Sequence, residues 1–121
     1  MSDNIIFMGT SKFAVPMLEK ISESNLNISV VYTQPPKKSS RGMKVQKTPI
    51  QVKSELLGLP IRTPSNLKNN IVEYNFFKKI KPTIVIVISY GQIIPKEFLE
   101  LSKKGFFNIH ASILPKFRGA A

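Results

Sequence analysis

Asn108 and His110 stand two residues apart at the end of an apolar run, and His110 is the only histidine in the chain. In an extended backbone successive side chains alternate between faces, so these two point the same way. A carboxamide donor and a titratable imidazole then converge on one spot. Such a pair can accept a proton and hydrogen-bond developing negative charge. A lone histidine is more often a satisfied structural group than a catalyst, so the elements that carry the pair decide its meaning.

Those elements alternate between strand and helix patterns. Asn4 to Met8 is a short apolar run ending at Gly9, a buried strand. Phe13, Met17 and Ile21 recur every four residues and predict the apolar stripe of a helix, with Pro16 tolerated in its first turn. Ile28 to Thr33 is β-branched and apolar, the next strand. From Gln34 to Thr48 the periodicity vanishes while Pro35, Pro36, Ser39, Ser40 and Gly42 accumulate, predicting a long loop.

Thr48-Pro49 then reads as an N-cap followed by proline at the first helical position, and Gly58 before Pro60 closes that helix. Asn70 and Glu73 have capping-box spacing for a helix through Phe76, Phe77 and Ile80 that Lys81-Pro82 ends. Thr83 to Ser89, apolar on both faces, predicts a central parallel strand. Pro95 to Lys104 predicts a helix stopped by Gly105, and Phe106 to Ile109 a last strand. The expected fold is one α/β domain, an open, mostly parallel Rossmann-like sheet with helices on both faces.

In such a sheet ligands bind outside the carboxyl ends of the strands. Gly9-Thr10, the long loop after the second strand, Tyr90-Gly91 and Asn108/His110 all fall there. The turn Gly9-Thr10-Ser11-Lys12-Phe13 lacks the further glycines of a dinucleotide fingerprint, which argues against NAD or FAD.

Composition narrows the classes further. Eighteen Lys and Arg oppose seven Asp and Glu, a net charge of +11 that favours a polyanionic partner. Lysine dominates, a skew that AT-rich coding also produces. The distribution says more: Gln34 to Lys53 holds Lys37, Lys38, Arg41, Lys44, Lys47 and Lys53 with no acidic residue. Such a stretch can track phosphates, or it can be a solvated charge run. The chain has no cysteine, which removes disulfides, thiol nucleophiles and cysteine-rich zinc sites. Its longest apolar run, Ile84 to Ile88, is far too short to span a bilayer, and the polar start lacks a basic leader. A soluble, cytoplasmic protein without membrane contact is expected.

Several segments together resemble the folate-dependent formyltransferase family, most closely its methionyl-tRNA formyltransferases. Asn108-x-His110 is followed by Ser112-Ile113-Leu114-Pro115 and then Arg118-Gly119-Ala120-Ala121. Ile113 stands for the family's leucine and is close to it in volume. Tyr90-Gly91-Gln92-Ile93-Ile94-Pro95 resembles the segment that walls the family's pterin pocket. Thr33-Gln34-Pro35, Arg41-Gly42 and Thr48-Pro49 resemble the loop that such enzymes insert into tRNA.

The resemblance implies a one-carbon transferase moving a formyl group from the co-substrate 10-formyltetrahydrofolate to the amino group of methionyl-initiator tRNA, with no metal. It implies catalytic roles for Asn108 and His110, folate binding by Ser112, Ile113, Leu114, Pro115, Tyr90, Gly91 and Ile93, and tRNA binding by Arg41, Lys37, Lys38 and Lys44. Two departures stand out. Ser11-Lys12 replaces the family's proline and acidic residue, and the family's catalytic aspartate lies beyond Ala121. The chain is therefore expected to be the N-terminal part of a longer, monomeric enzyme and nearly inactive alone. A formyltransferase for nucleotides or nucleotide sugars, and a non-catalytic folate- or nucleic-acid-binding fragment, are the alternatives.

Overall fold

The computed structural model describes residues 3–38 and 44–109. Strand β1 (Asn4–Gly9) is buried from Ile5 onward. It leads through a 3-10 turn (Lys12–Ala14) into helix α1 (Val15–Ser22), and β2 (Asn27–Tyr32) follows. A two-residue ribbon comes next, Lys37–Lys38 (β3) antiparallel to Val45–Gln46 (β4). Helix α2 (Pro49–Leu57), strand β5 (Ile61–Arg62), helix α3 (Ile71–Ile80), strand β6 (Ile84–Ile88), the single turn α4 (Lys96–Leu99) and strand β7 (Phe106–Asn108) complete the described chain.

The main sheet has the order β5-β2-β1-β6-β7, and every pairing in it is parallel. The chain winds outward from β1 to one side, returns to its other edge with β6, and winds outward again. The reversal between β1 and β6 is the switch point at which such sheets open a crevice. Alternation along β1 divides the core into two layers. Ile5 and Phe7 pack with Leu18, Ile21 and Ile50 under α1 and α2, whereas Ile6 and Met8 pack with Phe77 and Phe98 under α3 and α4. Phe77 is the hub of the second layer, with Tyr32, Phe98 and Phe106 rings at centroid distances of 5.6, 5.3 and 5.7 Å.

Most expected elements are present, and both caps of α2 and the N-cap of α3 are the predicted ones. The Thr48 hydroxyl accepts the Gln51 N–H at 3.0 Å, Pro49 opens α2, and Gly58 closes it at a φ of 71°. The Asn70 carboxamide oxygen accepts the Glu73 N–H at 3.1 Å.

Four expectations need correction. The buried stripe of the first helix is Ala14, Leu18 and Ile21, and Phe13 is 53 % exposed. The tighter 3-10 turn before Val15 breaks the 3.6-residue period on which the Phe13 assignment rested. The stretch after β2 contains the β3–β4 ribbon, so it is not structureless. The helix after Pro95 ends at Leu99, and later backbone groups turn instead to the chain just before β6: the Lys103 and Lys104 N–H groups donate to the Pro82 and Thr83 carbonyls. Finally, β5 was too short to leave a periodic signal.

Arg62 on β5 forms a two-pronged ion pair with Glu73 of α3, Nε to Oε1 at 2.7 Å and Nη2 to Oε2 at 2.8 Å. The Tyr32 hydroxyl donates to the same Oε1 at 2.7 Å, and the guanidinium lies 3.9 Å from the centre of the Phe76 ring. Burial pushes the Glu73 carboxyl up, but hydrogen bonds from Arg62 and Tyr32 and the Arg62 charge hold it below its ordinary value of 4.5. Burial, then the bond to Glu73, push the Tyr32 phenol far above its usual range.

A depressed carboxyl stabilises the fold above its unfolded value and loses that effect as pH falls through the folded one. Glu73→Gln should therefore cost on the order of 3 kcal/mol at pH 7 in urea unfolding, with the difference from wild type shrinking in acid. A pH-independent difference would show that packing rather than charge is at work. Gly9 gives a second prediction. A Cβ there would meet the Ile88 carbonyl oxygen at 2.9 Å and the Ala14 Cβ and Phe7 Cε1 at 3.0 Å. Gly9→Ala should cost about 1–3 kcal/mol, read as a lowered melting temperature.

Candidate functional site

The parallel register sets the strand exits level with one another. Met8 pairs with Tyr32 on one side and Val87 on the other, and Gly9 pairs with Ile88. Thr10, Thr33-Gln34 and Ser89-Tyr90 thus leave the sheet side by side. The Thr10 hydroxyl donates to the Tyr90 carbonyl at 2.6 Å and accepts the Gln34 N–H at 3.3 Å. The buried Thr33 hydroxyl shares a 2.7 Å hydrogen bond with the Thr48 hydroxyl. Those two threonines bracket the basic loop, so its ends are held together.

The loop after β6 turns through two left-handed residues, Ser89 at φ 49° and Gly91 at φ 91°. A non-glycine residue in that region is strained. The turn sends the Tyr90 side chain back into the core with Ile6 and Phe77, leaving the residue 2 % exposed. Burial, then the nearby Glu73 charge, push the Tyr90 phenol up, and its hydroxyl is buried without a hydrogen-bond partner among the described residues.

A cleft of about 280 Å³ opens beside this turn, lined by Val87, Ser89, Tyr90, Gly91, Gln92, Asn108 and Ile109. Asn108 closes β7, paired with Val87, and the Ile109 N–H donates to the Val87 carbonyl at 2.8 Å. Three of the sequence candidates, Tyr90, Gly91 and Asn108, therefore share one polar crevice at the switch side of the sheet. Ile93, 90 % exposed, lies apart from it in a separate depression with Lys68, Asn69, Pro95 and Glu97. Lys37, Lys38 and Lys44 are exposed on or beside the β3–β4 ribbon. Lys47 and Lys53 of the same basic stretch are engaged by Glu55 and Glu19 at 3.0 and 2.7 Å. Arg41, His110, Ser112, Ile113, Leu114 and Pro115 lie outside the described residues.

The crevice offers backbone polar groups from a strained turn and a carboxamide from the next strand, a set suited to a flat polar ligand and to a developing oxyanion. Among the described residues no cluster of three His, Asp or Glu side chains could hold a metal ion. Sequence reasoning assigned no role to Gln34 or Gln92, which prove to tie the crevice to the loop after β2. The Gln34 amide donates to the Gly91 carbonyl at 2.9 Å, and the Gln92 amide donates to Gln34 Oε1 and to the Pro64 carbonyl, both at 2.9 Å. Their sequence signal was their place inside the Thr33-Gln34-Pro35 and Tyr90-Gly91-Gln92 motifs, which gave neither a contact of its own.

Comparison with known proteins agrees with this geometry. The chain is 57 % identical over 121 residues to the methionyl-tRNA formyltransferase of Pelagibacter ubique (strain HTCC1062), covering 100 % of this chain and 39 % of that protein. It is 47 % identical over 116 residues to the methionyl-tRNA formyltransferase of Alkaliphilus oremlandii (strain OhILAs), covering 96 % of this chain and 37 % of that one. The chain thus spans less than two fifths of the length of these two curated relatives. Among solved structures, phosphoribosylglycinamide formyltransferase from Anaplasma phagocytophilum superposes with a TM-score of 0.63 over 98 % of this chain and 54 % of its own. At 17 % identity that likeness shows the fold. The family model described as formyl transferase matches residues 3–121, and the chain belongs to that family.

Proposed function

We propose that the chain is the N-terminal part, residues 1–121, of the catalytic domain of a methionyl-tRNA formyltransferase. The complete enzyme moves a formyl group from 10-formyltetrahydrofolate to the amino group of methionyl-initiator tRNA. The observation that carries this reading is the meeting of Asn108 with the Tyr90-Gly91 turn in one crevice whose wall is bonded to the root of the basic loop. A small-molecule site and a polycation thus adjoin.

In the reaction the methionyl nitrogen attacks the formyl carbon, the carbonyl oxygen takes up negative charge, and the bond from that carbon to the folate nitrogen then breaks. The Asn108 carboxamide hydrogen-bonds the oxyanion, and His110 accepts the proton that the attacking nitrogen loses and returns it to the folate nitrogen as that leaves. Ser112, Ile113, Leu114 and Pro115, with the Tyr90 and Gly91 backbone, hold the folate. Arg41 grips tRNA phosphates with two prongs, and Lys37, Lys38 and Lys44 add point charges. An aspartate outside this chain orients His110. No helix among the described residues is long and apolar enough to cross a membrane; the proposed part in translation assigns the enzyme to the cytoplasm.

The test is formyl transfer by the full-length protein, with methionyl-tRNA, a free nucleotide and a nucleotide sugar offered as acceptors. Transfer to methionyl-tRNA is expected, with the 121-residue chain alone nearly inactive. Asn108→Ala should lower kcat by about 10²–10³-fold, the loss typical of one oxyanion donor. Arg41→Glu should raise KM for tRNA and flatten its salt dependence. Transfer only to nucleotide-sized acceptors would sink the tRNA reading, and full activity of the 121-residue chain would sink the assignment as a part.

A further inference from the structure

We propose that Gln34 and Gln92 form an amide clamp that fixes the root of the basic loop against the wall of the Asn108 crevice. Both are then positioning residues for formyl transfer, an inference that rests on the reading of the site above. Neither side chain needs to touch a reacting atom. They act through the carbonyls and backbone of the turn that lines the crevice.

The clamp joins the loops that follow β2, β5 and β6. Pro64, just beyond β5, offers only a carbonyl, and it accepts from Gln92 Nε2 at 2.9 Å. The same Nε2 donates to Gln34 Oε1 at 2.9 Å, and Gln34 Nε2 donates to the Gly91 carbonyl at 2.9 Å. A backbone carbonyl at each end accepts but cannot donate, so the orientation of both amides follows from the chain of bonds itself. Reversing either amide would set oxygen against oxygen.

Gln34 grips the turn twice. Besides its side chain, its N–H donates to the Thr10 hydroxyl, which in turn donates to the Tyr90 carbonyl. Tyr90, Gly91 and Gln92 are therefore held at successive positions from one residue on the far side of β1. Gly91 has a second reason to be glycine besides its positive φ: a Cβ there would lie 2.8 Å from Gln34 Nε2. The basic loop begins immediately after Gln34, so the residue that sets the height of the crevice wall also launches the cationic ribbon. Two substrates bound on either side of this bond are held in register by it, and register is what a bimolecular transfer requires.

Full-length protein carrying Gln34→Met, Gln92→Met, both together, or Gln34→Glu tests the clamp. Methionine keeps side-chain length while removing the amide, and glutamate keeps shape while facing the Gly91 carbonyl with an acceptor. Each single variant should lower kcat for methionyl-tRNA by roughly 10- to 100-fold, the range expected of a misplacement near 1 Å. Dissociation constants for tRNA and for tetrahydrofolate, a folate that cannot donate a formyl group, should each move less than about threefold, because each site stays intact and only their register is lost. The double methionine variant should be no slower than the slower single one, since both break a single chain of bonds.

Unchanged kcat in the single variants, losses that multiply in the double, or losses that track a fall in melting temperature below the assay temperature would overturn the clamp. A wild-type protein that formylates no tRNA would instead overturn the reading of the site, and with it the clamp's role in that reaction. An active wild type with indifferent variants overturns the clamp alone.

Discussion

The parallel register of β1 with β2 and β6 is the constraint on which the rest of the molecule depends. Because β1 is flanked on both edges and covered on both faces, its last residues cannot move without shifting the β2 and β6 exits. Those exits carry the threonine, the glutamines and the left-handed turn that make the crevice. The absence of a side chain at Gly9 lets the end of β1 lie against the Ile88 carbonyl and Ala14 at contact distance. The crevice then opens where the winding reverses, on the β6 side, with β7 supplying Asn108 as its outer wall.

On the β5 side of the sheet a polar network does what apolar packing alone would not. The Arg62–Glu73 pair and the Tyr32 hydroxyl tie β5 and β2 to α3 through bonds of 2.7–2.8 Å. Replacing such a pair by apolar residues of similar volume is often neutral or stabilising, whereas removing one partner strands a charge. Its value here is therefore orientation more than net energy. Strand β5 is two residues long and sits at the edge of the sheet, too short to fix its own register by pairing. The forked guanidinium, set on the Phe76 ring, fixes it instead, and so fixes the Pro64 carbonyl two residues beyond Arg62.

Local patterns made much of the fold legible in the sequence. The caps at Thr48, Gly58 and Asn70 and the apolar strands around Phe7, Val30 and Ile86 are encoded within a few residues of themselves. What stayed hidden depends on distant partners. After the shortened α4 the chain is held by the Pro82 and Thr83 carbonyls, which accept the N–H groups of Lys103 and Lys104 from about twenty residues away in sequence. Phe13 is exposed because a 3-10 turn, invisible to a 3.6-residue template, comes first. The same division holds at the site. Asn108 and the Tyr90-Gly91 turn were legible as motifs converging at the carboxyl ends of the strands, whereas the β6–β7 pairing that joins them in one crevice and the contacts of Gln34 and Gln92 exist only in the folded sheet.

The pinned ends of the basic loop bear on how a chain of net charge +11 can be selective. Charge alone attracts any polyanion, and a free cationic loop must give up conformational freedom each time it binds. Here the loop leaves and returns through Thr33 and Thr48, whose hydroxyls are bonded to each other, and its first strand already pairs with its last. Part of the ordering is therefore complete before any ligand arrives. Glu55 and Glu19 also engage Lys47 and Lys53, so among the described residues of this stretch the remaining positive charge lies at Lys37, Lys38 and Lys44, beyond the clamped root. A ribbon restrained in this way favours a polyanion that can reach the crevice while it is held, since attraction far from that wall gains nothing from the shared register.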